Sequence, residues 1–194
     1  MKKYEFTGEV KVKFGVTFKR IRALIDFGNV KKGELGGFIE KEENLSYAGN
    51  AWVYGDAEVY GDARVYGNAK VYDDAEVYGN ARVSGNAKVY DDAWVYGNAR
   101  VSDDAEVSGN ARVSGNAEVS GNADYVLIGR IGSRFGFTTF FRNKNNEIYV
   151  SCGCFLGTLA KFRKKVKETH GTDTKYAKVY QAAADLAEMQ ILNK

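Results

Sequence analysis

The sequence predicts a mainly β protein. Its middle coils into a parallel β-helix, between a β-rich N-terminal cap (residues 1–44) and a C-terminal β-β-β-α-α module (residues 123–194). Three observations carry this. From Ala51 to Asn122 the chain reads Ala-x-Val-[Tyr/Ser]-[Gly/Asp]-[Asn/Asp] twelve times without a gap. Proline is absent from all 194 residues, which suits a long ladder, because proline removes a backbone donor. Charge is segregated: residues 1–50 hold 10 basic and 7 acidic side chains, 51–122 hold 6 and 12, and 123–194 hold 12 and 6. Such asymmetry marks separate modules with separate partners.

The repeat dictates the coil. Ala and Val stand two apart and face one side of a strand, while the second and fourth places of each unit face the other. Gly or Asp followed by Asn or Asp is turn chemistry, since these residues tolerate positive φ at low cost. A short strand and a bend every six residues wind a solenoid in which each coil stacks on the last. Leu45-Ser46-Tyr47-Ala48-Gly49-Asn50 is a degenerate unit, so the solenoid is expected over 45–122. Burying each valine contributes roughly 1.5–3 kcal/mol before entropy is subtracted.

On these units the chain resembles the hexapeptide-repeat family, in which three units make one triangular coil of a left-handed parallel β-helix. The resemblance implies about four coils, about 4.8 Å apart. It departs from the family in one respect: Tyr or Ser directly follows the valine, and Gly comes one place later. The lead-in (Arg22-Ala23-Leu24-Ile25-Asp26-Phe27-Gly28, then Gly36-Gly37-Phe38-Ile39-Glu40 and Glu43-Asn44-Leu45-Ser46) resembles that of uncharacterised bacterial and phage repeat proteins. Those are often labelled transferases on repeat resemblance alone.

With three units per coil, every third unit shares a face. One face carries Tyr54, Tyr72 and Tyr90, another Tyr60, Tyr78 and Tyr96, and the third Arg64, Arg82 and Arg100. The tyrosine ladders either stiffen the solenoid by ring packing or form an oligomer or partner interface. The arginines, about 5 Å apart, are either solvated or paired with carboxylates or an anion. Asp73, Asp74, Asp91 and Asp92 share a corner, as turn formers or as Ca²⁺ ligands; the reading assigns no metal and no cofactor.

The flanks are read from periodicity. Val10, Val12, Phe14, Val16 and Phe18 alternate as a strand covering the open end of the solenoid. Tyr125–Arg130, Gly136–Arg142 and Glu147–Gly153 read as three strands. Leu159, Phe162 and Val166 have helical spacing with Gly171 as a stop, and Thr172 or Asp173 caps a second helix with Tyr176, Val179, Tyr180, Ala183, Leu186 and Ala187 inside. Cys152 and Cys154 are expected as reduced core thiols.

Gly153, Gly157, Thr158, Lys161 and Lys164 form the candidate anion site. A strand turning through glycines into a basic helix offers free N–H groups at a positive dipole end. An ordinary glycine turn with a Thr cap fits the same residues, and no P-loop ending is present. Basic residues beside Phe135, Phe137, Phe140, Phe141 and Tyr149 also admit single-stranded nucleic acid, weakly.

The family includes acyltransferases and zinc carbonic anhydrases, which use histidines projecting from the coils. This chain has one histidine, His170, outside the repeat, and no catalytic residue is assigned. The expectation is a non-catalytic oligomeric binding scaffold, a homotrimer by resemblance. In its sharper form it is a phage-encoded factor that interferes with host defence, by sequestering a nucleotide signal or blocking a host protein. The alternatives are an acyltransferase-like enzyme or a nucleic-acid binder. With no apolar run near the ~18 residues of a membrane span and no signal peptide after Met1, the expected location is the cytoplasm.

Overall fold

The computed structural model describes residues 1–192, so the last two residues of the expected C-terminal module lie outside the described residues. The chain opens with β1 (Tyr4–Lys13), β2 (Val16–Ala23) and β3 (Leu35–Ile39). Twelve two-residue strands follow: β4 (Trp52–Val53), β5 (Glu58–Val59), β6 (Arg64–Val65), β7 (Lys70–Val71), β8 (Glu76–Val77), β9 (Arg82–Val83), β10 (Lys88–Val89), β11 (Trp94–Val95), β12 (Arg100–Val101), β13 (Glu106–Val107), β14 (Arg112–Val113) and β15 (Glu118–Val119). They stack in parallel as three sheets. Face one is β4-β7-β10-β13, face two is β3-β5-β8-β11-β14 and face three is β6-β9-β12-β15. These are the faces expected from the spacing of 18 residues.

The solenoid has about five turns rather than four. Phe38 and Ile39 pair in parallel with Glu58 and Val59, and Leu45 bridges Val65. The first turn thus joins the expected degenerate unit at Leu45 to β3, which belongs to the segment read as a cap and carries no repeat signature. Every Ala and Val of the units is buried. At the corners the fifth residue has positive φ in every unit but the last, where Gly121 is extended. A Cβ on Gly85 would lie 2.6 Å from the Asp103 nitrogen, whereas one on Gly55 would clear Asp73 by 3.7 Å. Asp holds the position at φ 58° in Asp73, 57° in Asp91 and 53° in Asp103.

Parallel stacking gives the solenoid a polarity. Each coil donates its N–H groups to the carbonyls of the next: Trp52 N to Ala69 O at 3.0 Å, Arg100 N to Ala117 O at 2.9 Å. The first coil is therefore left with open carbonyls and the last with open N–H groups, each costly if buried unpaired. The ends are closed by groups of matching sense. At the carbonyl end the Lys3 ammonium donates to Ala51 O at 2.8 Å and Gly49 O at 3.3 Å, and the Asn44 amide to Ala63 O and Gly61 O. At the N–H end Thr139 Oγ1 accepts from Arg112 N, Asn122 Oδ1 from Glu106 N, and Asp124 Oδ2 from Ser120 N and Gly121 N.

The β1–β2 hairpin does more than cap. Its side chains run opposite to the expected sense: Lys11 and Lys13 turn inward to the buried Glu58 and on to Glu76, at 2.8–3.0 Å. Val10, Val12 and Phe14 are exposed, Phe14 by 91%. The buried Glu58 and the half-buried Glu76 require partners, and that requirement overrides the apolar alternation. Phe18 alone of the series is buried, edge-on to Tyr60.

The C-terminal module has four strands, not three: β16 (Tyr125–Ile131), β17 (Gly136–Arg142), β18 (Ile148–Cys152) and β19 (Phe155–Thr158), followed by α1 (Leu159–His170) and α2 (Lys175–Leu192). Phe155-Leu156-Gly157-Thr158 is too short and glycine-broken to read as a strand, yet it pairs antiparallel with β18. Alternation divides the sheet between two cores: Phe141 joins the solenoid interior, and Phe140 packs with Phe162, Ala184 and Ile191 beneath the helices. Helix α2 is capped by Thr174, whose Oγ1 accepts from Ala177 N at 3.2 Å, not by Thr172 or Asp173. Tyr176 and Leu186 face outward while Ala184 and Ile191 are buried; the small alanines let α2 lie close on the sheet. Cys152 is half-buried against the C-terminal core, but Cys154 is exposed in the β18–β19 turn, so only one of the two thiols packs as expected.

Candidate binding surfaces

The five residues expected to form an anion site are not brought together. Gly153 sits in the β18–β19 turn with φ 58°, and the length of β19 separates it from Thr158. Gly157 is buried within β19. Thr158 is the N-cap of α1, its Oγ1 accepting from Lys161 N at 3.4 Å. Lys161 and Lys164 are exposed, and Lys164 lies 3.9 Å from Glu168. The inserted strand separates glycine turn from helix start, and what remains is an ordinary capped helix.

The tyrosine ladders are formed as the spacing required. Tyr60–Tyr78, Tyr78–Tyr96 and Tyr72–Tyr90 stack near-parallel at 4.9–5.0 Å, while Tyr54 meets Tyr72 edge-on. All six rings are half-buried. Stacked pairs of this kind contribute about 0.5–1.5 kcal/mol beyond their area. Burial first, then the neighbouring Tyr96, pushes the Tyr78 hydroxyl up to about 12. Burial with Glu76, which accepts from the Tyr60 hydroxyl at 3.1 Å, raises Tyr60 further still. These phenols stay neutral and hold the coils in register.

The aspartate corner also has a ladder role. Asp73 Oδ2 accepts from Asp91 N at 3.4 Å, and Asp91 Oδ2 from Gly109 N at 2.9 Å. Asparagines do the same on another corner, from Asn50 through Asn68 and Asn86 to Asp104. Among the described residues no cluster of His, Cys, Asp or Glu has the spacing of a metal site. His170 closes α1 and stacks on Tyr180 at 5.7 Å.

Face three is different. Arg64, Arg82 and Arg100 stand directly opposite one another on adjacent strands, all exposed. Glu118 lies 3.9 Å from Arg100, but the side chains of Arg64 and Arg82 make no ion pair or hydrogen bond among the described residues. Like charges placed opposite on a sheet destabilise it; the Asp62 carboxylate attracts Arg64 without an ion-pair contact, and Glu42 and Glu43 lie along the same face. Beside them runs an open groove of about 620 Å³, lined by Glu42, Tyr47, Arg64, Tyr66 and Arg82 among others. Tyr66 is the exposed member of the repeat tyrosines.

A second, more enclosed cleft of about 480 Å³ lies where β17 and β18 cross the end of face two. Trp94 and Arg112 pair in register across β11 and β14, the guanidinium 4.5 Å over the indole. Arg134, Phe137 and Gly153 form the opposite wall. The spacing of 18 residues places Trp94 beside Arg112, but the facing wall is set by the turn between β16 and β17, and nothing local in the sequence reports it.

The chain is similar to the YdcK beta solenoid repeat, whose model matches residues 75–91, 81–97, 93–109 and 105–121. It is a β-solenoid repeat protein. The matched stretches fall within the solenoid, so the similarity supports the coil and extends to neither flank. No curated protein matches the chain.

Proposed function

We propose that this β-solenoid protein is a non-catalytic binding scaffold that presents the arginines of face three to an acidic partner surface. One observation carries the reading: Arg64 and Arg82 are held in register and exposed, and neither guanidinium makes an ion pair among the described residues. A flat, open stripe of fixed cations suits a macromolecular surface better than a small ligand, and it steers an acidic partner toward the face. Within this proposal the coils wind left-handed as in the hexapeptide-repeat family, and the protein assembles as a homotrimer. The phage-like lead-in, Gly36–Glu40 with Glu43–Ser46, suggests a phage factor that blocks a host protein in the host cytoplasm.

Labelled poly-L-glutamate tests the surface. Anisotropy is expected to report binding that weakens with salt, as exposed ion pairs do. The double substitution R64E with R82E is expected to weaken it by at least about tenfold, which corresponds to 1.4 kcal/mol, while K161E leaves it unchanged. Equal loss in K161E would place recognition on the C-terminal helix instead. The catalytic alternative has its own check: neither acetyl transfer from acetyl-CoA nor CO₂ hydration is expected, and turnover abolished by His170→Ala would contradict the scaffold reading.

A further inference from the structure

The enclosed cleft between face two and the C-terminal sheet is independent of the arginine stripe. Two guanidinium groups from different modules line it, Arg112 from the last coil and Arg134 from the β16–β17 turn, against the single carboxylate of Asp92. Neither makes an ion pair among the described residues, and the Arg112 guanidinium instead sits 4.5 Å over the Trp94 ring. A cation–π contact of this kind holds the guanidinium in place without using its N–H donors, which can serve an anion. Thr139 Oγ1 accepts from the Arg112 backbone N–H at 3.0 Å, anchoring the residue to the sheet that forms the other wall. Phe137, 38% exposed, supplies a second aromatic surface across the cleft. The volume of about 480 Å³ lies within the range of small-molecule sites.

We infer that this cleft is a binding site for a small anion bearing a planar aromatic ring, of the nucleoside monophosphate class. The phosphate is held between Arg112 and Arg134, and the base lies against Phe137 and the Trp94–Arg112 stack. Charge without an aromatic wall would suit inorganic phosphate equally. Aromatic walls without paired guanidinium groups would suit a neutral ring. Both occur here within one enclosure, and that conjunction selects the combined ligand.

The molecule contains its own reporter. It has two tryptophans, and Trp52 is fully buried while Trp94 is half-exposed at the cleft. Titration of the full chain with 5′-AMP, 5′-GMP and 5′-UMP is expected to change tryptophan emission saturably for at least one of them. The matching nucleoside and inorganic phosphate, used as separate probes, should each bind at least about tenfold more weakly. R112E and R134E should each weaken binding by a similar factor; R134E alters only an exposed turn residue and therefore tests the site without disturbing the Trp94 stack. R64E with R82E should leave this binding unchanged, which separates the site from the stripe on face three. No saturable response to any of the three nucleotides, phosphate binding as tight as the nucleotide, or wild-type affinity in R134E would each overturn the assignment.

Discussion

Lys3 is buried without a carboxylate partner, an unusual setting for an ammonium group. It is tolerated because it meets the open carbonyls of the first coil, yet desolvation still lowers its pKa from 10.5 to about 8. Between those values the unfolded chain binds more protons than the folded one, so this group makes stability rise with pH from about 8 to 10.5. Tyr78, raised from 10.0 to about 12, acts in the opposite sense: the unfolded phenol ionises first, and stability falls as pH climbs from 10 toward 12. Denaturant unfolding of wild type and Lys3→Met across pH 7–10.5 is expected to show the wild type gaining on the variant above pH 8. A constant difference would mean that Lys3 is not desolvated. Within the coils, Val77 is fully enclosed, and Val77→Asp is expected to abolish the cooperative unfolding transition, because it buries a charge with no partner.

At the scale of elements, the regular parts were legible and the irregular ones were not. The faces, the tyrosine ladders and the inward Ala and Val follow from a six-residue period that repeats without a gap, so each local preference agrees with the stack above and below it. The first turn escaped because Gly36-Gly37-Phe38-Ile39 carries none of the repeat signature, although it pairs with β5 as the coils do. Strand β19 escaped because its pairing with β18 is tertiary and its sequence is glycine-broken. That omission is what made Gly153 and Thr158 look adjacent. The hairpin inverted its expected faces because Glu58 and Glu76, more than 40 residues away, claim Lys11 and Lys13. Lys13→Met is accordingly expected to destabilise the protein, by roughly 1–3 kcal/mol from the charge left behind, whereas Val12→Thr on the outer side should fall within about 0.5 kcal/mol of wild type in the same denaturation series.

For the whole molecule, one solenoid is closed at its carbonyl end by donors and at its N–H end by acceptors, and its three faces differ. Face two is crossed by the hairpin at one end and by the C-terminal sheet at the other, and face one carries the Tyr54–Tyr72–Tyr90 ladder with its Lys88–Glu106 ion pair. Face three presents Arg64 and Arg82, whose guanidinium groups make no ion pair among the described residues. If the tyrosine faces also mediate the proposed trimer, Tyr72→Glu with Tyr78→Glu should lower the sedimenting mass more than Ser102→Glu with Ser108→Glu, because Ser114, the serine next in line with Tyr78 and Tyr96, is fully buried and offers no surface control.

The most direct test of the binding face is a positional one. A single cysteine at Ser84, beside Arg82 on face three, would be labelled with an environment-sensitive fluorophore in a Cys152→Ser, Cys154→Ser background, with Ser108→Cys on face one as the reference. Adding poly-L-glutamate at low salt is expected to change emission at position 84 and leave position 108 unaffected. An equal response at both positions, or a response at 108 alone, would contradict recognition through the arginine face.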